Sequence, residues 1–283
     1  GVPVLCDISS DTQTLSLADA AKKITCRTKA VIAVHYAGIS CDLDSLDGLC
    51  QQAGISLIED AAQAVDAFYK GRALGTIGRL GAYSFHYTKN FSCGEGGALV
   101  YTKQDRRGAE IFQNNGTNRS EYLHGICDRY AWVEKGSSPI MSELCAAALL
   151  GQMEHAEAIT AKRLMILDAY HTALEPLEKR GKLRRMCLPD YARPNGHIYY
   201  VRFPDRALRD RVKDDLLAQR IDCRTHYVPL HMSPMGKSLG YREDACPESR
   251  AAYETLLRLP IHTGMKPEDA FQAAEQLGRA VER

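Results

Sequence analysis

Leu80 to Leu99 reads LGAYSFHYTKNFSCGEGGAL. Its first half alternates small and apolar residues as a buried strand does, with Ala82, Ser84 and His86 on one face and Tyr83, Phe85 and Tyr87 on the other. The pattern ends in polar residues around Lys89, which places that lysine just past a strand end. Glycines at 94, 96 and 97 then permit a tight turn or a close approach to a ligand. Taken alone, the stretch also reads as a strand, a surface lysine and a hairpin turn.

Ile55 to Ala64, ISLIEDAAQA, supplies a second strand. A short apolar run ends in two carboxylates and then turns to a helical pattern, the way a buried parallel strand delivers acidic side chains to the carboxyl edge of a sheet. Asp60 and Lys89 then stand at the ends of two nearby strands. Pyridoxal phosphate requires such a pair: an amine for covalent attachment and a carboxylate that keeps the ring nitrogen protonated. A carboxylate at the start of a helix near Ala61 also serves as a cap, and that reading is open for both Glu59 and Asp60.

Working outward, Leu15 to Lys29 is predicted as a helix, Ala30 to His35 as a buried strand and Leu43 to Gln52 as a helix, followed by the Gly54 turn into the Asp60 strand. This order argues for an α/β fold, a mostly parallel sheet with helices on both faces. His35 and Tyr36 reach the same sheet edge as Asp60, where they either pack or face a ligand. Beyond Gly97 come a strand at Ala98 to Thr102, a helix over Asp105 to Gln113, and a long polar stretch from Asn114 to Pro139. Asn118, Arg119, Tyr122, Arg129, Tyr130 and Trp132 in that stretch suit sugar hydroxyls, pyrophosphate and stacking, or a contact between subunits.

Ser142 and Glu143 start a helix, and a longer one is predicted over Gln152 to Lys179 with Met153, Ala156, Leu167, Tyr170, Leu174 and Leu177 on one stripe. Gly181 ends it. A strand at His197 to Phe203, a helix carrying Leu208, Val212 and Leu216, a strand at Ile221 to Val228 and two further helices, the last from Pro267, complete the chain. Residues 1–180 thus read as a large domain with a bridging helix and 181–283 as a small α+β domain. The 283 residues are 45% hydrophobic and 25% charged with net charge +1, which makes no case for nucleic acid or an anionic membrane. Ten cysteines show no C-x-x-C pair, so free thiols in a reducing cytoplasm fit better than a metal site or disulfides.

EDAAQA, YKGRALGTIG, YSFHYTKN and GEGGAL, followed by GTNRSEYLHG, GSSPIMSE, THYVPLH and LLRLPI, resemble the nucleotide-sugar aminotransferases of the StrS/DegT type. The resemblance implies the fold of type-I pyridoxal phosphate enzymes, with a three-layer α/β/α large domain and a small α+β domain. It assigns Lys89 as the cofactor lysine, Asp60 to the pyridinium nitrogen, Gln63 to the phenolic oxygen side and Ser84 to the phosphate. Glu59 would face the opposite side of the strand. His86 matches the S-F-H-x-x-K pattern and borders the ring or substrate, or packs. Ser138 takes the position of an asparagine that in relatives reaches the neighbouring subunit's phosphate, which implies a homodimer with shared sites. Tyr227 and His231 reach the site from the small domain, or form a proline-fixed loop over a buried histidine. The resemblance further implies that the chain begins after the first elements of the family fold. The subgroup most like it aminates a dTDP-4-keto-6-deoxyhexose at C4 with glutamate as donor, for cell-surface polysaccharide. Other expectations are another nucleotide keto-sugar, or a truncated remnant without activity; the related lyase branch has histidine where this chain has Lys89.

Overall fold

Three short apolar segments, AVIAV, SLIED and LGAYS, lie side by side in parallel. In the computed structural model, which describes residues 1–283, they are β1 (Ala30–Val34), β2 (Ser56–Asp60) and β5 (Leu80–Ser84), and antiparallel β6 (Gly97–Tyr101) closes the sheet in the order β1-β2-β5-β6. The crossover from β1 to β2 is α2 (Leu43–Ala53). Asp42 caps its first turn, and Gly54, in the left-handed conformation, ends it. Leu43, Leu46 and Cys50 of α2 pack with Val31, Ala33 and Leu57 in one buried cluster. On the other face Ile32, Val34 and Leu99 are exposed, so AVIAV alternates in burial where a fully buried strand was expected.

The second sheet is antiparallel, with β7 (Arg184–Arg185), β9 (Tyr199–Arg202), β10 (Arg224–Thr225) and β11 (Leu256–Leu259) in the order β10-β11-β9-β7. α6 (Ala156–Lys179), α7 (Arg206–Ala218) and α10 (Pro267–Glu282) cover it and form with it the largest apolar cluster. A small ribbon of β3 (Phe68–Tyr69), β4 (Arg72–Ala73) and β8 (Ala192–Arg193) ties the two regions together. The remaining helices are α1 (Leu17–Lys23), α3 (Arg106–Gln113), α4 (Arg119–Leu123), α5 (Glu143–Met153), α8 (Pro234–Ser238) and α9 (Pro247–Thr255).

Several boundaries differ from the sequence reading. α1 stops at Lys23, because β-branched Ile24 is extended and Thr28 closes a turn on Thr25. The expected helix over 152–179 is two: α5 ends at Met153 and α6 begins at Ala156, so Met153 belongs to the earlier one. Only Arg224–Thr225 of the expected strand at 221–228 is paired, and Pro229 follows closely. Three helices rather than two complete the chain. No helix is long and apolar enough to cross a membrane.

The expected helix after Asp60 does not form. Ala64 N–H donates to Ala61 O at 2.9 Å and Ala67 N–H to Ala64 O at 3.0 Å, giving two successive turns, and Asp66 has φ +60°. The carbonyls of Gln63 and Val65, which a helix would use internally, accept instead from Asn195 Nδ2 at 3.0 and 2.7 Å. A partner 130 residues away overrides the local periodicity.

Candidate active site

Parallel strands open their carboxyl ends on one edge, and β1, β2 and β5 deliver His35, Asp60 and Ser84 there. Asp60 lies opposite Ala82, two residues before Ser84. Its Oδ1 accepts the Ala62 N–H at 3.0 Å, a local turn contact rather than a helix cap. Adjacent Glu59 points to the other side of β2 and is fully buried. It accepts from the N–H groups of Gly75 at 2.8 Å and of Ile77 and Gly78 at 2.6 Å, and meets His35 Nε2 at 2.9 Å. His35 is therefore a packed partner of Glu59 and not a ligand-facing group.

Gln63 Oε1 accepts the Ala37 N–H at 2.6 Å, which leaves Nε2 as its free donor. Ala37 is left-handed at φ +58°, and Gly38 follows at φ +79°. A Cβ on Gly38 would lie 2.1 Å from Asn195 Oδ1, so this turn fits only without a side chain.

The strand that leads to the lysine ends at Ser84, earlier than the alternation suggested. Lys89 sits in a turn beyond it, its N–H donating to His86 O at 2.9 Å. The half-buried Lys89 shares a narrow crevice with Gln63, Asn90, Asn195 and His197. Ser84 Oγ makes only a long 3.4 Å contact with the His86 N–H. The His86 ring turns back on its own loop, with Nδ1 2.8 Å from Thr88 Oγ1 and the ring against Tyr87.

Other expected residues lie apart from this crevice. Asn118 binds the Ala131 N–H at 2.7 Å through Oδ1 and so holds the two arms of its loop together. Arg119, Tyr122 and Tyr130 line a separate cavity that shares no residue with the crevice. Ser138 is exposed and does not line the crevice of its own chain. Tyr227 is exposed, with the Arg258 guanidinium 4.9 Å from its ring centre. His231 is buried beneath the Pro229 loop, and its Nε2 has no partner.

Sequence reasoning missed the residues that close the site from the second sheet. His226, beside Tyr227, is the one that reaches the sheet edge: its Nδ1 lies 3.1 Å from Tyr36 OH, ring against ring edge-on. Burial, reinforced by Arg258, pushes its pKa down to about 4. Asn195 O accepts from Asn90 Nδ2 at 3.0 Å, Asn195 Oδ1 accepts from the His197 N–H at 3.0 Å, and His197 Nδ1 lies 2.9 Å from Asn90 Oδ1. Arg163 of α6 braces this segment through Gly196 O, His197 O and Ile261 O at 2.9 to 3.2 Å. Loss of water pushes the pKa of His197 down to about 3, aided by the positive charges of Lys89, Arg163 and Arg258. The one local signal for this segment was Pro194-Asn195-Gly196, a turn sequence just before a strand.

An unpaired lysine amine, a carboxylate with one local contact, an amide donor and a hydroxyl therefore stand around one sheet edge. That donor set fits a pyridine ring bearing an aldehyde, a phenolic oxygen and a phosphate.

Comparison with known proteins agrees with this chemistry. Residues 1–278 match the DegT/DnrJ/EryC1/StrS aminotransferase family. The chain is 31% identical over 290 residues to the spore coat polysaccharide biosynthesis protein SpsC of Bacillus subtilis, covering 96% of this chain and 72% of that protein. Among solved structures, S. venezuelae DesV superposes with a TM-score of 0.90 at 30% identity, over 99% of this chain and 72% of that one. Spr1654 of Streptococcus pneumoniae, solved in a pyridoxal phosphate form, shares the fold with a TM-score of 0.89 at 23% identity, over 100% and 76%. The chain belongs to the DegT/DnrJ/EryC1/StrS aminotransferase family, sugar aminotransferases whose cofactor is pyridoxal 5′-phosphate.

Proposed function

We propose that the chain transfers the amino group of glutamate to the C4 ketone of a dTDP-linked 4-keto-6-deoxyhexose, giving a 4-amino-4,6-dideoxy sugar for cell-surface polysaccharide. The observation that carries the reading is the convergence of Lys89 and Gln63 on one crevice beside the strand ends that bear Asp60 and Ser84. When bound, the cofactor supplies an electron sink that makes the Cα proton of the donor removable. Lys89 is the covalent attachment point. Once freed by the incoming amine, it takes the proton from the glutamate Cα, and in the second half-reaction it delivers a proton to C4 of the sugar. Asp60 holds a proton on the ring nitrogen. Gln63 Nε2 donates to the phenolic oxygen, since its Oε1 is already held by Ala37. Ser84 donates to the phosphate, and Ser138 reaches the phosphate in the other subunit of a homodimer. His86, Asn118, Arg119 and Tyr227 are the proposed sugar-nucleotide contacts, of which the loop residues Asn118 and Arg119 serve a site completed across the dimer; His231, buried beneath the Pro229 loop, is left out of that set. We take residues 1–180 and 181–283 as the two domains between which the substrate enters.

Borohydride reduction of the protein with its cofactor, followed by peptide mapping, tests the attachment. The pyridoxyl label is expected between Phe85 and Phe91. A label on Lys70, which is paired with Asp44, or on Lys103 would overturn the assignment. A panel of nucleotide keto-sugars with glutamate, read by product mass, then tests the substrate. Amination of a different keto-sugar in preference to the dTDP-4-keto-6-deoxyhexose would replace the substrate while leaving Lys89 in place.

A further inference from the structure

Lys89 stands on a turn with no strand ladder to fix it, yet its neighbour Asn90 is held from the far part of the chain by two hydrogen bonds. Backbone groups settle the orientation of both amides. Asn90 Nδ2 faces the Asn195 carbonyl, so it must be the donor, and Oδ1 is the atom that faces His197 Nδ1. His197 Nδ1 therefore carries the hydrogen, and the lone pair is on Nε2. Asn195 is fixed in the same way: Nδ2 donates to the carbonyls of Gln63 and Val65, and Oδ1 receives the His197 N–H. Two residues of one segment, Asn195 and His197, thus hold both the loop after Asp60 and the turn of Lys89, and Arg163 holds that segment in turn.

We propose that His197 is a positioning residue for Lys89, acting through Asn90 as a neutral Nδ1–H donor. The proposal rests on the reading of Lys89 as the reactive amine. His197 makes no hydrogen bond to Lys89 itself. It fixes the rotamer of Asn90 and with it the backbone from which the lysine extends. Placement of Lys89 is thereby tied to the seating of the second sheet on the first, because the two ends of the Asn90–His197 hydrogen bond lie 107 residues apart. A misplacement of about 1 Å in a reacting group costs on the order of a hundredfold in rate, so the effect is large enough to measure.

The test compares His197→Leu, which removes the donor, with His197→Asn, whose amide nitrogen takes the place of Nδ1. In protein freed of cofactor, competitive acetylation read by mass spectrometry reports the reactivity of the Lys89 amine against exposed Lys103 as reference. In the loaded enzyme, kcat and KM for the keto-sugar are measured separately. His197→Leu is expected to change the relative labelling of Lys89 several-fold and to lower kcat about ten- to a hundredfold with little change in KM. His197→Asn is expected to restore both. Unchanged labelling and kcat in folded His197→Leu, or no restoration by asparagine, would overturn the proposal. Should the leucine variant not fold, His197→Gln replaces it: its amide nitrogen falls near Nε2 and misses Asn90, so wild-type labelling and kcat there would equally overturn it. Failure of the cofactor assignment is separable, because an active Lys89→Ala enzyme would refute that role while the labelling still reports whether His197 governs the lysine.

Discussion

Glu59 and His35 meet at 2.9 Å in the interior, both side chains closed to solvent, one residue along β2 from Asp60 at the open carboxyl edge of the sheet. Strand alternation sends consecutive carboxylates to opposite environments, and only one of them is available for chemistry. Burial opposes the charge on Glu59, but the hydrogen bonds from His35 and from the N–H groups of Gly78 and Gly75 outweigh it and hold the carboxyl below its usual range. Glu59→Ala would strand these donors in the core, and a loss of about 3–5 kcal/mol is expected in urea unfolding. A variant as stable as the parent would show that the site edge does not depend on this anchor.

Asp60→Asn keeps the shape and the Ala62 contact but removes the charge proposed to hold a proton on the ring nitrogen. The cofactor colour is expected to persist while transamination falls by several orders of magnitude, because the loss is felt at the transition state. Steady-state kinetics with glutamate decide it; near-normal turnover would leave Asp60 as a turn residue only.

Gln63→Met removes the acceptor for the Ala37 N–H in a residue with no solvent exposure. An unsatisfied buried donor costs about 1–3 kcal/mol, so the urea midpoint should fall accordingly. Cofactor binding, followed by absorbance titration, is expected to weaken at the same time. Loss of stability with unaltered cofactor affinity would confine Gln63 to holding the Tyr36–Gly38 turn.

Acid lability follows from two histidines. The folded pKa values of His197 and His226 are pushed down to about 3 and about 4 from the ordinary 6.5. Below pH 6.5 the unfolded chain therefore binds protons that the folded chain refuses, and stability falls as the pH drops toward those lower values. His197→Asn is expected to remove about one proton from this uptake. Urea unfolding at pH 7 and pH 5 measures it, and an equally steep decline in the variant would locate the uptake elsewhere.

The parallel strands and α2 were legible because their periodicity, the Asp42 cap and the Gly54 stop all act within a few residues. The placement of Asp60 at the end of β2 and of Lys89 five residues beyond β5 was legible for the same reason. The helix expected at Ala61 was not, because its carbonyls are claimed by Asn195, and no local pattern encodes a partner so distant. His226 and His197 escaped notice likewise: each looks like any strand-flanking histidine until the second sheet folds back and brings it to Tyr36 or Asn90. For Asn118 no pattern in the sequence signalled its loop-closing bond to Ala131, which takes up the amide oxygen.

Gly38 gives the arrangement a further property. Because a methyl group there would lie 2.1 Å from Asn195 Oδ1, positions 38 and 195 compete for one volume. In a library of variants selected for folding, alanine at 38 should survive chiefly beside a shorter residue at 195, and such pairs would give up the bonds to Gln63 and Val65. The tolerance of the molecule to mutation is thus set jointly at two sites 157 residues apart in sequence (195 − 38), and single-site scans would report both as immovable.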